Sequence, residues 1–367
     1  MQIAAPTWLE IDHDAIVHNT RYVLEITKKP LMAVVKANAY GHDSVAVSRT
    51  VLKAGASHLA VARFNEALEL RDAGITAPIL VLGMVTPQEV DAALGLNISL
   101  TMFSKESAEL YAQRAAAAGK MVDVHMKIDT GLGRIGVFAE DAASLGTYAQ
   151  SLGGINIVGV FTHLSIVEDD AHDPLTDMQM DRLETAAAGI HAVGIHPQWV
   201  HCSNSASLIS HPRSRYDLVR AGAILLGINP FYYKDIPTEL RRAMTWKTSL
   251  MSCREMPEGW GIGYVGRYRA KKNELVGTLA MGYGDGFLRL PGNEVLIRGK
   301  RVKIIGTECL DMCMVHLDEP LPMGEEVVVV GCQGGEEITV EDLATRWNMT
   351  FSSIASTVSR RVPRIPV

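Results

Sequence analysis

The sequence predicts an α/β fold in two parts: an N-terminal (β/α)8 TIM-like barrel over residues 1–235 and a C-terminal, mostly β domain over residues 236–367. Three observations carry this. Eight short apolar runs recur along the first two thirds of the chain. Stretches rich in Ala, Glu, Leu and Arg separate them. Near Thr245 the texture changes to strand-like runs broken by Gly, Pro and Asn. Strand alternating with helix means parallel βα units, because parallel neighbours need a crossover between them. Eight units in about 230 residues suit a closed barrel. A doubly wound open sheet is the alternative, but the glycine-rich dinucleotide loop expected after its first strand is missing.

The eight runs are residues 31–35, 58–62, 78–82, 98–102, 122–128, 157–162, 198–202 and 218–226. After the second, "RFNEALELRDAG" sets Phe64, Ala67, Leu68 and Leu70 at near-helical spacing and stops at Gly74. "FSKESAELYAQRAAAAGK" has the same helical composition. Beyond Thr245, "TWKTSLMSCREM", "ELVGTLAMGYGDG", "EVLIRGKRVKIIGTE" and "EEVVVVGCQGG" read as strands. Helix returns at "TVEDLATRWN", where Thr339 suits an N-cap and Glu341 the first turn. The opening "PTWLEID" is also strand-like, so the first ten or so residues are free to join the second domain.

Composition sets the class. With 367 residues, 47% hydrophobic and 21% charged, the chain reads as a soluble globular protein larger than one ordinary core. A net charge of −6 without a basic run gives no reason to expect nucleic acid. No apolar stretch reaches the roughly 18 residues of a membrane helix. The N-terminus lacks the basic and apolar regions of a signal peptide. Five cysteines without a CxxC pair point to reduced thiols and a cytoplasmic protein. No metal site is expected.

In a barrel enzyme, chemistry gathers where strand ends meet the βα loops. Lys36 ends the first run, Lys127 and Asp129 the fifth, and His163 the sixth. His201, Asn204 and Ser205 end the seventh. Arg220, Gly222 and Ala223 belong to the eighth. Singly, each has an ordinary structural explanation; a strand-end lysine, for example, usually snorkels to water. Their convergence on one mouth predicts a site. Apolar flanks lower the pKa of a lysine, and a neutral amine condenses with an aldehyde. The aldehyde cofactor of amino-acid chemistry is pyridoxal 5'-phosphate (PLP). Ser205, Tyr40 and the backbone N–H groups near Gly222 suit its phosphate.

The motif "AVVKANAYGHD" resembles the PLP-lysine signature of the alanine racemases, with Asp43 where the family usually ends in GHG. "KIDTGLGRIG", "FTHLS", "HCSNSAS", "VRAGAILLG", "GIGYVGRY", "MGYGDG" and "SRRVPRI" resemble further family blocks, in family order and over nearly the whole chain. The resemblance implies a barrel plus β domain working as a head-to-tail homodimer with shared active sites. It makes Lys36 the Schiff-base lysine and one catalytic base, and Tyr264 the opposite-face base from a second copy. Arg134 then holds the substrate carboxylate, and Lys127 matches a lysine often carbamylated in the family. Arg220 faces the pyridine nitrogen and is linked through His163 toward the tyrosine. Tyr40, Ser205, Gly222 and Ala223 fall at phosphate-binding positions, with Asn204 beside them. Tyr283 matches an entrance residue, and Leu310 sits where a backbone amide meets the substrate carboxylate. A phenol near pKa 10 is a poor base at neutral pH unless positive neighbours favour the phenolate.

Two features depart from the pattern. The family's Tyr-Glu pair, about ten residues before the RVPR block, is replaced by Ser352 and Ser353. The smaller side chain predicts a wider pocket that turns over serine, or another small amino acid, beside alanine. Rejection of one extra group by a pocket wall is worth only about 1–3 kcal/mol. The chain also stops just beyond RVPR. Two rival readings share the strand-end lysine. A PLP-dependent decarboxylase would use a cysteine such as Cys309, and a PLP-carrier barrel would lack the β domain.

Overall fold

The computed structural model describes residues 5–165, 167, 173–231 and 235–367. The chain divides into two compact units. One comprises Ala15–Ala39 and Asp43–Arg241; the other comprises Met1–Asp14, Tyr40–His42 and Arg242–Val367.

Thr7–Ile11 (β1) belongs to the second unit. The first unit is a ring of eight parallel strands: β2 (Leu31–Val34), β3 (His58–Val61), β4 (Ile79–Val81), β5 (Ile98–Met102), β6 (Val122–Lys127), β7 (Ile155–Phe161), β8 (Trp199–His201) and β9 (Val219–Ala221). Their order is β8-β7-β6-β5-β4-β3-β2-β9. Seven neighbouring pairs are parallel ladders. The β8–β9 seam closes differently. Asp217 N–H donates to Val200 O at 3.0 Å, Val200 N–H to Asp217 Oδ2 at 2.9 Å, and Arg220 N–H to Ser203 Oγ at 3.1 Å. The barrel interior holds Met32, Ala60, Leu80 and Leu218, all buried.

The predicted runs and the strands differ at their ends. The eighth run, expected through residue 226, is strand only over Val219–Ala221. Gly222 turns the chain into the 3-10 helix Ala223–Leu226, whose C-cap Gly227 is left-handed. The helix expected from "RFNEALELRDAG" spans Phe64–Asp72, and Glu66 Oε2 accepts the Arg63 N–H at its start at 3.0 Å.

The second unit is built on Met244–Met256 (β10). This strand pairs antiparallel with β1, with Glu274–Leu279 and with Glu326–Gln333. Its core stacks Trp246 on Phe287 and Phe287 on Trp347, edge to face, at centroid distances of 6.0 and 5.7 Å. Thr339 caps the helix Val340–Trp347, and Asp342 completes the box. All five cysteines are unpaired. Among the described residues no helix is long and apolar enough to cross a membrane, and no group of three or more His, Cys, Asp or Glu could hold a metal.

Candidate active site

Lys36 does not simply end a strand. It opens a helical turn, Lys36–Gly41, that is wound left-handed: φ is 52°, 57°, 50° and 52° at Ala37, Asn38, Ala39 and Tyr40. A left-handed turn costs most L-residues about 1–2 kcal/mol, asparagine less, so Ala37, Ala39 and Tyr40 together store on the order of 3–6 kcal/mol. Specific bonds hold it. Ala37 N–H donates to Glu66 Oε1 at 2.6 Å, Ala39 N–H to Val35 O at 2.9 Å, and Ser44 N–H to Asn38 Oδ1 at 2.8 Å. Strain of this kind persists where the surroundings over-determine it, commonly at functional sites. Burial, then the cations Arg134 and Arg220, lower the Lys36 pKa against the opposing pull of Glu66.

Lys127, at the end of β6, is buried and donates from Nζ to Ile128 O at 2.9 Å. Its ammonium lies 5.4 Å from the centre of the Phe161 ring. Burial, reinforced by Arg220, brings its pKa down to about 7. Asp129 accepts the N–H groups of Gly131 and Gly133 at 3.0 and 3.1 Å, shaping the loop that leads to the exposed Arg134.

Arg220 is a buried cation held by neutral acceptors. It donates to His201 Nδ1 at 2.8 Å, to Thr162 O at 2.9 Å, to Cys202 O at 3.0 Å and to His163 Nδ1 at 3.4 Å. These bonds fix tautomers. His201 accepts at Nδ1, so its Nε2–H donates to His125 Nδ1 at 2.9 Å. Phe161 stacks on His201 at 4.9 Å and 3°. Burial keeps all three imidazoles neutral, His163 and His201 well below the usual range and His125 at about 3. Burial also lowers Arg220 to about 10, which leaves it charged at neutral pH.

The loop after β8 and the turn after β9 form a small polar cradle. Gly222 N–H and Ile224 N–H point at Ser205 Oγ from 3.2 and 3.4 Å. Ala223 is the first residue of the 3-10 helix between them. Asn204 Oδ1 accepts the N–H groups of Ala206 and Ser207, so this side chain shapes the loop that presents Ser205.

The second unit gathers the other expected residues on three interlocked loops. Tyr264, in the turn Tyr264–Gly266, is 59% exposed. Tyr283 and Leu310 are also exposed, and Tyr283 N–H donates to Cys309 O at 3.1 Å. Tyr40 falls in this unit, where burial raises its phenol to about 12 and so keeps it a hydrogen-bond donor. Ser352 lies half-buried on the helix Phe351–Thr357.

Two family profiles match, "Alanine racemase, N-terminal domain" over residues 11–230 and "Alanine racemase, C-terminal domain" over residues 243–366. The chain belongs to the alanine racemase family. It is 40% identical over 364 residues to the alanine racemase of Symbiobacterium thermophilum, covering 98% of this chain and 96% of that one. The alanine racemase of Bacillus anthracis, solved with bound L-Ala-P, matches with a TM-score of 0.95 at 34% identity, covering 100% of this chain and 96% of that one. A histidine racemase from Leuconostoc mesenteroides also matches, with a TM-score of 0.91 at 28% identity, over 100% and 99%.

The protein is therefore an isomerase, a racemase of a family that works with PLP. Within the barrel unit, Lys36, Lys127, His163, Ser205, Arg220, Gly222 and Ala223 all sit at or just past strand C-terminal ends. Sequence reasoning missed Glu66, which anchors the turn after Lys36, and the His125 partner of His201. The available signal for the first was an acidic residue in the first turn of the helix after β3.

Proposed function

We propose that this racemase interconverts L- and D-alanine with bound PLP, by a two-base mechanism at sites shared in a homodimer. The observation that carries the reading is the Lys36 amine, held at lowered basicity at a barrel mouth that also offers the Ser205–Gly222–Ile224 cradle. An amine of this kind suits an aldehyde, and a hydroxyl with converging backbone amides suits a phosphate, so the residues fit the cofactor. Bound PLP supplies an electron sink next to the substrate's α-carbon. Lys36 and Tyr264 of a second copy work on opposite faces of that carbon, one removing the α-proton and the other returning one. Arg134 and the Leu310 amide hold the substrate carboxylate. Arg220 keeps its proton, so it passes none to a ring nitrogen beside it, and His163 links it toward Tyr264.

Lys127 is read as carbamylated. An amine at about 7 is substantially neutral at physiological pH, the form whose nitrogen adds to carbon dioxide and then loses a proton. The resulting anion would suit Arg134. Ser352 supports turnover of serine beside alanine, because it leaves more room than the family's tyrosine. A solved neighbour named as a histidine racemase is in keeping with this reading.

The test is an absorbance scan of the purified protein, followed by D/L analysis after incubation with L-alanine and L-serine. Racemate without released carbon dioxide is expected for alanine. Carbon dioxide release would favour the decarboxylase reading through Cys309, and no turnover of either amino acid would refute the reading.

A further inference from the structure

The loops carrying Tyr283 and Leu310 are fastened by one side chain that no site assignment includes. Arg361 Nε pairs with Asp285 Oδ1 at 2.7 Å, its Nη1 with Asp311 Oδ1 at 2.8 Å, and its Nη2 with Leu310 O at 3.4 Å. Asp285 is buried, and its second oxygen accepts Gly282 N–H at 2.9 Å. The guanidinium thus joins both loops at three points, two of them ion pairs.

The effect on Leu310 follows from peptide geometry. The carbonyl before it, Cys309 O, accepts Tyr283 N–H at 3.1 Å. Its own carbonyl accepts Gly284 N–H at 2.8 Å as well as Arg361. Cys309 N–H closes the turn onto Met312 O at 2.8 Å. A trans peptide points its N–H opposite its C=O. With Cys309 O bound to the 282–285 loop, the Leu310 N–H is turned away from that loop. Among the described residues it donates to no partner. The loops approach closely enough to require glycine: a Cβ on Gly282 would lie 2.3 Å from Cys309 O, and one on Gly284 would lie 2.9 Å from Leu310 O.

We propose that Arg361, through Asp285 and Asp311, is a positioning residue that aims the Leu310 amide at the substrate carboxylate and holds Tyr283 beside it. This rests on the reading of Leu310 given above. A carboxylate is bound equally in substrate, transition state and product, so loosening its donor is a loss of uniform binding.

The test is steady-state racemisation in both directions by the holoenzyme and by Arg361→Met, Arg361→Lys and Asp311→Asn. In Arg361→Met the KM for L- and D-alanine should rise together by about ten-fold, the scale of one lost charge-assisted hydrogen bond. Its kcat should change less than about two-fold, and cofactor content should stay at the wild-type level. Arg361→Lys should recover part of the KM, and Asp311→Asn should show a smaller rise of the same kind. If Arg361→Met fails to fold, Asp311→Asn decides, since it leaves the Asp285 pair intact. KM values at the wild-type level in the folded variants would overturn the proposal, as would a kcat falling only in step with lost cofactor. A wild-type enzyme that racemises no alanine would instead overturn the functional reading.

Discussion

Acid should weaken this protein through its buried imidazoles, and His125 allows the effect to be isolated. In the folded chain its pKa is about 3; in the unfolded chain it is that of an ordinary imidazole, 6.5. The folded value is depressed, so full stability is present above pH 6.5 and is lost as the pH falls toward about 3. Linkage for one such group gives a loss of about 2–3 kcal/mol between pH 6 and pH 4. That is large against a typical stability of about 5–15 kcal/mol. The variant His125→Gln keeps an acceptor for His201 Nε2–H but does not titrate. At pH 7 it should be less stable than wild type by about 1–3 kcal/mol, from the disturbed network. The gap should then shrink, and vanish or reverse by pH 4. Urea unfolding of both proteins at pH 7, 6, 5 and 4, followed by circular dichroism, measures it. A gap that stays constant to within about 0.5 kcal/mol over that range would show that His125 is not the neutral, buried partner of His201.

Other expectations are local. Gly41 has φ +89° and would place a Cβ 2.0 Å from Ala355 O, so Gly41→Ala should lower stability by about 3 kcal/mol or more, read from the thermal midpoint. Ala37→Gly should stabilise by about 1 kcal/mol because the left-handed turn no longer strains a Cβ there, whereas Ala37→Val should destabilise by more. Lys127 should give a carbamate signal in 13C spectra under labelled carbon dioxide that is missing from Lys127→Met; an unmodified lysine would defeat that assignment. Ser352→Tyr should cut serine turnover more than alanine turnover, and equal alanine kinetics with no serine activity in either protein would refute the wider pocket.

The sequence exposed some of this and hid the rest for physical reasons. Strand periodicity and helical spacing placed Lys36, Lys127 and His163 at strand ends and Arg220 within the eighth run, because apolar runs and the polar residues that interrupt them are local properties. The backward winding after Lys36 left no such trace. Ala37, Asn38, Ala39 and Tyr40 include no glycine, and the bond that fixes Ala37 comes from Glu66, 29 positions away. His125 was equally silent. Its place depends on Gly159, where a Cβ would come within 2.1 Å of its ring, and on His201, which is 76 positions away. Arg361 was visible only as part of a motif; what it grips comes from two loops far off in the chain.

The seam between β8 and β9 sets this barrel's tolerance for change. Seven of its joints are made by backbone, which any residue other than proline can supply. The eighth leans on a carboxylate at Asp217 and a hydroxyl at Ser203, so there a change of residue type is a change of fastening. The strand that seam steadies carries Arg220, which makes a modest position on the barrel wall a determinant of where the buried guanidinium points.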